Sequence, residues 1–331
     1  MHTFHYTRAA DIAEAMRLAV PGEPGRQVRF LAGGTTLVDL MKLDVETPTH
    51  VVDINGLGLD QIEVLPDGHV RIGALVRNAD LAHHTHIAAQ YPVLSQALLA
   101  GASAQLRNMA TTSGNLLQRT RCVYFRDRAA RCNKRNPGSG CDALGGHNRN
   151  LAILGTSEHC IATNPSDMNV ALMALGATVH VQGSGGARDI ALQDFYLLPG
   201  HTPERETVLQ AGELITHVSV PPVAPDTRSS YLKLRDRASY EFALASAAVV
   251  LQARDGNIVA AGIALGGVGT RPWRCPRAEQ LLVGQAPSAT RYQQAAQAAL
   301  QDAVAQSENG FKIELARRCL VHALSTTLPP Q

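Results

Sequence analysis

The sequence is short of long hydrophobic runs, aromatic residues and leader-like features. No apolar stretch approaches the roughly 18 residues that a membrane-spanning helix needs, so we predict no membrane insertion. The first six residues, MHTFHY, have neither a basic leader nor a continuous apolar core, and they do not predict a signal peptide. The most basic segment contains only two aromatic residues, Tyr124 and Phe125, too few to stack nucleic-acid bases. We therefore expect neither membrane nor nucleic-acid binding.

Several motifs that carry common chemistry are also absent. There is no Gly-x-Gly-x-x-Gly or Walker sequence, so Rossmann and P-loop sites are not supported. No serine stands in a Gly-x-Ser-x-Gly elbow or a histidine-plus-acid context, which argues against nucleophilic catalysis. His83, His84 and His86 have no carboxylate at metal-ligand spacing, and we interpret them as part of a solvated helix. We predict no catalytic residue in this chain.

Length and composition indicate a globular protein of more than one domain. The 331 residues are 45% hydrophobic and 18% charged, enough to form two or three modest cores. Prolines at 221, 222 and 225 interrupt any helix or central strand, so we predict one domain over residues 1–225 and a second over 226–331. Strand and helix patterns are mixed without a regular βαβ alternation. The predicted fold class is α+β.

Local patterns predict several elements with definite bounds. A strand over 28–32 precedes a helix, and a helix covers 93–100 with Pro92 in its first turn. Turn residues indicate hairpins, one of them over 247–265 around Asp-Gly-Asn. Two closing helices are expected over 289–306 and 311–324.

Four of the six cysteines are concentrated in one segment that is rich in arginine, glycine and proline. They are separated by nine, eight and eighteen residues, without the paired Cys-x-x-Cys spacing that zinc sites favour. Iron–sulfur clusters can take four thiolates from irregular loops. Zinc, disulfides and unrelated thiols remain open from spacing alone, while the remote Cys275 and Cys319 are interpreted as ordinary cysteines. The four candidate ligands are Cys122, Cys132, Cys141 and Cys160.

The segment around these cysteines is strongly basic. Residues 119–160 contain eight arginines and lysines against three acidic residues, a local charge of +5 in a chain whose total is +2. A cationic setting stabilises thiolates and an anionic cluster. The segment is also too long for a simple connection. We predict a cofactor loop over 119–160, the alternative being a zinc-stabilised basic interaction module without a redox role.

Small residues form a second candidate site. The sequence Gly33-Gly34-Thr35-Thr36 follows a strand and precedes a helix, so its backbone N–H groups could bind a pyrophosphate. An ordinary strand-to-helix turn explains this sequence as often. Hydroxyl- and glycine-rich stretches at 110–115 and 163–169 lie directly before and after the cysteine segment. We therefore predict one site that is interrupted by an insertion.

These segments together resemble a known family. Residues 31–37 (LAGGTTL), 111–115 (TTSGN) and 165–167 (PSD) are similar to the FAD-binding subunit of the xanthine dehydrogenase and molybdenum hydroxylase family. The resemblance covers essentially the whole chain. It implies a two-part FAD-binding domain of the PCMH/vanillyl-alcohol-oxidase-like type with a cysteine-loop insertion. A smaller α+β domain like the carbon monoxide dehydrogenase flavoprotein C-terminal domain would follow.

The cysteine loop resembles a rarer branch of this family. Residues 119–122, 132–135, 138–141 and 160–163 match the flavin subunit of periplasmic-type aldehyde oxidoreductases, which holds an additional [4Fe–4S] cluster. The flavin subunit of 4-hydroxybenzoyl-CoA reductase also carries such a cluster and is the alternative. The resemblance therefore implies that the four cysteines ligate one [4Fe–4S] cluster.

The resemblance also implies which residues contact FAD. Leu214 would pack against a ring of the cofactor, and Lys233 would lie near the flavin. Leu244 stands where xanthine dehydrogenases have a lysine, which argues against NAD as the electron acceptor. The implied cofactor-binding residues are Arg29, Phe30, Leu31, Ala32, Gly33, Gly34, Thr35, Thr36, Leu37, Thr111, Gly114, Asn115, Ser166, Asp167, Leu214 and Lys233.

The implied function is electron transfer within a complex. A large partner subunit with a molybdenum cofactor would oxidise an aldehyde, and a small partner subunit with two [2Fe–2S] clusters would pass electrons to the FAD of this chain. An external acceptor would then receive them. We expect this chain to remain in the cytoplasm unless a partner with a twin-arginine signal carries the folded complex to the periplasm.

Overall fold

The computed structural model describes residues 1–20 and 25–330. The N-terminal part of the chain forms a small, three-stranded parallel sheet. Strand order is β1-β3-β2, with both neighbours of β3 parallel to it. Helix α1 begins where the side chain of Asp11 accepts a hydrogen bond from the Glu14 N–H at 2.7 Å, a standard N-cap. The elements are β1 (His5–Arg8), α1 (Ile12–Ala19), β2 (Val28–Leu31), α2 (Leu37–Lys42) and β3 (His50–Asp53).

A larger antiparallel sheet and a group of short helices follow. The strand order is β4-β5-β8-β6-β7, so β8 returns from far along the chain to lie between β5 and β6. Buried residues of α5 and α9 form one core with this sheet. The elements are β4 (Ile62–Val64), β5 (Val70–Gly73), α3 (Asn78–His83), α4 (Thr85–Gln90), α5 (Pro92–Ala100), α6 (Ala104–Met109), α7 (Thr112–Leu116), α8 (Val123–Arg126), α9 (Asp167–Leu175), β6 (Thr178–Gly183), β7 (Gly186–Ala191), α10 (Leu192–Phe195) and β8 (Leu214–Val220).

The C-terminal part is a four-stranded antiparallel sheet in the order β12-β11-β10-β9, with three helices. Helices α11, α12 and α13 share a second core with this sheet. On β11, a Cβ at Gly262 would overlap the Ala174 carbonyl, so glycine permits α9 to approach the sheet closely. The elements are β9 (Thr227–Leu234), β10 (Ala245–Arg254), β11 (Asn257–Gly266), β12 (Trp273–Arg274), α11 (Pro276–Leu282), α12 (Ala289–Ala299) and α13 (Phe311–Thr327).

The predicted α+β class is confirmed, with some differences in the bounds of elements. The predicted helix over 289–306 ends at Ala299, because the chain turns there and the Val304 N–H donates to the Ile153 carbonyl at 2.7 Å. The last predicted helix is longer than expected and reaches Thr327. The helix over 93–100 and the hairpin over 247–265 are present as α5 and as β10 with β11. Among the described helices, none is both long and apolar enough to cross a bilayer.

The cysteine segment has little regular structure but has its own small core. Only α8 is helical between residues 117 and 166. Buried Cys122, Phe125, Cys132 and Ile161 belong to one cluster of this segment. The segment is therefore held by contacts among a few side chains rather than by a sheet or a long helix.

Buried amides join this segment to the C-terminal part. The side chain of Asn148 donates to the Ala143 and Gly146 carbonyls at 3.3 and 3.2 Å and to the Ser307 hydroxyl at 2.9 Å. Its carbonyl oxygen accepts from the Glu308 N–H at 3.0 Å. Asn148 is fully buried, so these bonds satisfy groups that water does not reach.

A buried lysine makes a second connection between the same two regions. The ammonium of Lys312 on α13 donates to the carbonyls of Asn150, Leu151 and Gly267 at 3.2, 2.9 and 2.6 Å. Burial lowers the pKa of Lys312 to about 7, with the nearby Arg149 charge as a smaller cause. Both connections place the start of α13 and the loop before it directly against the cysteine segment.

We expect Asn148→Ala to lower the free energy of unfolding by about 2–3 kcal/mol, because it removes four hydrogen bonds of a fully buried amide and leaves the buried Ala143 carbonyl without this donor. Chemical denaturation followed by circular dichroism would measure the change. Asn150→Ala is the matched control, since Asn150 is exposed and its side chain bonds only to exposed Arg149 in the described structure. Equal stability of the two variants would contradict this account of the connection.

Candidate functional site

A cavity of about 670 Å³ lies between the three-stranded sheet and the segments around the five-stranded sheet. Its walls are β2 with the turn that follows, the start of α7, residues 160–165 and residues 196–215. Eleven of the residues predicted to bind a cofactor line this cavity, namely Arg29, Phe30, Ala32, Gly33, Gly34, Thr35, Thr36, Leu37, Thr111, Gly114 and Leu214.

The glycine turn is built for close approach. Gly34 has a φ of +72°, a conformation that residues with a Cβ rarely adopt. A Cβ at Gly33 would overlap the Met109 carbonyl, so this glycine lets the turn pack against the next wall of the cavity. Within the described part of the chain, the backbone N–H groups of residues 33–36 form no hydrogen bond. The turn thus presents free donors to the cavity, as an anionic group requires.

Two residues that were not predicted from the sequence, Asn55 and Arg77, stabilise this turn on the side away from the cavity. The Asn55 amide donates to the Ala32 carbonyl at 3.0 Å and to Asp53 at 2.7 Å. The Arg77 guanidinium donates to the Met109 carbonyl at 2.5 Å and to the Asn55 side chain at 3.1 Å. The available signal was the position of Asn55 just beyond the carboxyl end of a parallel strand, where ligand sites often lie.

The second wall is fixed by hydroxyl groups. The Thr111 hydroxyl caps α7 by accepting from the Gly114 N–H at 3.2 Å. Ser166, the cap of α9, donates from its hydroxyl to the Asn115 side chain at 2.7 Å. Asn115 and Ser166 therefore lie behind the lining rather than in it, and they join the segments before and after the cysteines.

Asp167 and Lys233 form a buried pair outside the cavity lining. Their charged atoms lie 2.8 Å apart, and Lys233 also donates to the Ala100 carbonyl at 3.1 Å. The Tyr231 hydroxyl donates to Asp167 at 2.5 Å, and burial together with that carboxylate raises the pKa of Tyr231 well above its usual value. Leu31 is the remaining predicted residue outside the lining. Contacts of these residues with a cofactor remain predictions.

The four candidate cysteines lie together in the core of their loop. Cys122, Cys132 and Cys160 are buried, Cys141 is partly buried, and residues 132 and 141 form an antiparallel β-bridge. All six cysteines are free thiols, so the disulfide alternative has no support in the described residues. Cys160 also lines the cavity, so the two candidate sites share a wall.

Burial disfavours ionisation of three of these thiols, those of Cys122, Cys141 and Cys160. Burial raises the pKa of Cys122 to about 12, and the neighbouring Cys132 and Cys160 contribute to that rise. Burial also raises the pKa of Cys141 and of Cys160, with the Lys134 ammonium opposing it at Cys160. Metal ions displace such protons, because the thiolate is the ligand.

The donors around the sulfur atoms suit an iron–sulfur cluster. The Ala162 N–H lies 3.5 Å from the Cys160 sulfur, and backbone N–H groups also stabilise the thiolates of Cys122 and Cys141. Hydrogen bonds to sulfur are one means of tuning a cluster. No three His, Cys, Asp or Glu side chains of the described residues are arranged to hold a single metal ion. Ligation of a zinc ion or of a cluster by the four cysteines therefore remains a prediction.

Comparisons with known proteins agree with this geometry. Residues 2–223 match the family described as FAD binding domain in molybdopterin dehydrogenase. Residues 229–327 match the CO dehydrogenase flavoprotein C-terminal domain. The fold and cavity thus define a flavoprotein subunit. The chain belongs to the FAD-binding, medium-subunit family of the molybdenum hydroxylases.

Individual relatives cover nearly the whole chain. The aldehyde oxidoreductase FAD-binding subunit PaoB of Escherichia coli K12 is 52% identical over 330 residues, 98% of each chain. The glyceraldehyde dehydrogenase medium chain of Sulfolobus acidocaldarius is 29% identical and covers 85% of this chain and 82% of its own. The structure of carbon monoxide dehydrogenase from Hydrogenophaga pseudoflava matches with a TM-score of 0.77 at 26% identity, covering 98% of this chain and 97% of that one.

These similarities confirm the predicted fold, with a FAD-binding domain followed by a CO dehydrogenase flavoprotein-like domain. They also confirm FAD as a cofactor and the prediction of an oxidoreductase subunit. They establish no metal cluster in this subunit.

Proposed function

We propose that this chain is the FAD- and [4Fe–4S]-containing electron-transfer subunit of a molybdenum-dependent aldehyde oxidoreductase. The observation that carries the proposal is the 52% identity, over 98% of both chains, to an aldehyde oxidoreductase FAD-binding subunit. When bound, FAD can take up electrons singly and release them in pairs. It can therefore connect clusters that carry one electron with an acceptor that takes two. The protein supplies position, electrostatics and exclusion of water.

The cavity residues have separate tasks in this proposal. Gly33 and Gly34, with Thr35 and Thr36, would hold the pyrophosphate through their free backbone N–H groups, without a side chain in the way. Leu214, which is 3% exposed on β8, would pack against a ring of the cofactor. Asn115, Ser166, Asp167, Lys233 and Leu31 would support these contacts from behind the lining.

Cys122, Cys132, Cys141 and Cys160 would ligate the [4Fe–4S] cluster. Their shared core and the N–H groups directed at the sulfur atoms of Cys122, Cys141 and Cys160 support this assignment. The basic loop supports it further, because arginines and lysines compensate the negative charge that thiolates and cluster bring together. The insertion over residues 119–160 would thus be a cluster-binding subdomain.

The partners would be a large molybdenum-cofactor subunit and a small subunit with [2Fe–2S] clusters. The names of relatives support this, since they describe an FAD-binding subunit and a medium chain. We propose further that the domain division falls after residue 225, in the segment between β8 and β9 that has no helix or strand. The complex would function in the cytoplasm or, if a partner carries the export signal, in the periplasm.

Purification without oxygen tests the cofactor content. We expect a yellow-brown protein with one FAD per chain and about four iron and four sulfide per chain. Absorbance spectroscopy, FAD release and metal analysis would measure these amounts separately. Zinc in place of iron would overturn the cluster assignment, and a colourless protein would overturn both assignments.

Turnover with partners tests the electron-transfer role. Co-expressed with its large and small partner subunits, the holoprotein should show flavin bleaching when an aldehyde is added without oxygen. Unchanged flavin absorbance in a complex that contains molybdenum would contradict the proposed role.

A further inference from the structure

A chain of five charged side chains crosses the wall between the cavity and the cysteine loop. Arg29 lies 3.0 Å from Glu46, and Arg119 contacts the same carboxylate at 2.5 Å. Arg119 also contacts Glu206, which lies 3.0 Å from the Lys134 ammonium. All five residues line the cavity. We call them the ion-pair chain.

The ion-pair chain links elements that are far apart in sequence. Arg29 stands on β2, beside the glycine turn, and Glu46 follows α2. Arg119 precedes Cys122 by three residues, and Lys134 follows Cys132 by two. Glu206 belongs to the 196–215 wall of the cavity. The ion-pair chain therefore runs from the strand before the glycine turn to residues close in sequence to Cys122 and Cys132, two of the candidate ligands.

Glu206 is the central contact between the cysteine loop and the cavity wall. Its carboxylate pairs with both Arg119 and Lys134. Lys134 also donates to the Pro203 carbonyl at 2.8 Å, so it holds the backbone of the same wall. Cys160, a candidate ligand, lines the cavity on this side.

Four of the five side chains of the ion-pair chain are largely buried, so their pairs contribute more than surface ion pairs do; Arg29, at 47% exposed, is the exception. The side chains of Lys134 and Glu46 are 9% and 11% exposed, and those of Arg119 and Glu206 are 23% and 26% exposed. The Arg131–Asp142 pair of the same loop has an arginine that is 72% exposed, and such pairs contribute little. Removal of one member of the ion-pair chain leaves a poorly solvated charge without a partner.

We propose that Glu206 is a positioning residue that couples the retention of the cluster to the binding of FAD. This inference rests on the proposed function. When the cluster orders the cysteine loop, Arg119 and Lys134 are held in place and fix the cavity wall through Glu206. When the cluster is lost, Arg119 and Lys134 move with the loop. Residues 196–215 of the cavity wall then become more mobile, and FAD binds more weakly. The coupling is reciprocal, so bound FAD slows the loss of the cluster.

A double-mutant cycle on the full chain tests the coupling. Kd for FAD is measured under anaerobic conditions by flavin fluorescence for the wild type, Cys132→Ser, Glu206→Gln and the double variant. When Glu206 is present, we expect Cys132→Ser to raise the Kd for FAD about tenfold relative to the wild type. When Glu206 is replaced by Gln, adding Cys132→Ser should raise the Kd for FAD by less than about twofold. Glu158→Gln is the matched control, because Glu158 is an exposed carboxylate near Cys160 outside the ion-pair chain; it should preserve the tenfold factor.

A purely structural role for Glu206 would weaken FAD binding equally with and without Cys132, so equal factors in the two pairs would overturn the coupling. Iron and sulfide analysis of the wild type separates this failure from failure of the cluster assignment. Wild-type protein that binds FAD but contains no iron would overturn the cluster assignment and the coupling with it. Wild-type protein with iron and equal factors would overturn the coupling alone. Release of iron to a chelator provides the reciprocal measurement, and added FAD should slow it in the wild type but not in Glu206→Gln.

Discussion

Gly34→Val should abolish FAD retention while the C-terminal sheet and its helices remain folded. Gly34 has a φ of +72°, which disfavours any β-branched residue. A Cβ there would also lie 3.2 Å from the Leu31 side chain and 3.3 Å from that of Val38, tighter than ordinary contact. Relief of either problem must move the turn and its free N–H groups. We expect FAD affinity to fall at least about 100-fold, or about 2.7 kcal/mol.

The FAD-to-protein ratio after gel filtration, with the thermal unfolding profile, would measure this effect. Gly58→Val is a matched control, because Gly58 has a similar φ of +66° but no atom near its Cβ position and lies outside the cavity. It carries the same backbone strain without touching the glycine turn. Full FAD occupancy in folded Gly34→Val would show that this turn does not hold the pyrophosphate.

The glycine turn could be predicted because its signal is local. A strand, two glycines, two threonines and a helix follow one another directly, and the backbone requires glycine at both glycine positions. The four cysteines could be recognised as candidate ligands in the same way, because few kinds of site explain a concentration of thiols and positive charge in an irregular segment. In both cases, neighbouring residues in sequence supply most of the site.

The supporting residues could not be predicted, because their partners lie far away in sequence. Glu206 is 72 residues from Lys134, and Asn55, just after β3, bonds to the backbone of Ala32, just after β2. No periodic pattern marks a carboxylate or an amide that meets its partner only after folding. Asp167 and Lys233 were both named as cofactor-binding residues through the family resemblance, but their ion pair was not predicted, since its two members lie 66 residues apart.

The helix over 289–306 shows the same limit for secondary structure. Alanines and glutamines continue the helical pattern beyond Ala299, so local propensity alone favours a longer helix. The bond from the Val304 N–H to the Ile153 carbonyl ties the following turn to the end of the cysteine segment instead. Tertiary contact therefore overrides propensity where the two domains meet.

Replacement of any one of Cys122, Cys132, Cys141 and Cys160 by serine should remove most of the iron and sulfide. A serine hydroxyl is a far poorer ligand than a thiolate, and the loop has few apolar side chains to order it without a cluster. We expect less than about one tenth of the wild-type iron and faster proteolysis within residues 119–160. Some FAD should also be lost, less than in Gly34→Val, because the glycine turn itself is untouched.

Cys275→Ser and Cys319→Ser are the controls for this prediction. Both cysteines are buried in the core of the C-terminal sheet, in a different cluster from the loop cysteines, so neither lies where the four candidate ligands meet. These variants should keep full iron and FAD even if they lower thermal stability. If Cys275→Ser removed iron while Cys132→Ser did not, the ligand assignment would be wrong. Burial also raises the pKa of the loop thiols of Cys122, Cys141 and Cys160. What distinguishes the four loop cysteines from these two is therefore their location together in one basic segment, and iron content measures that difference directly.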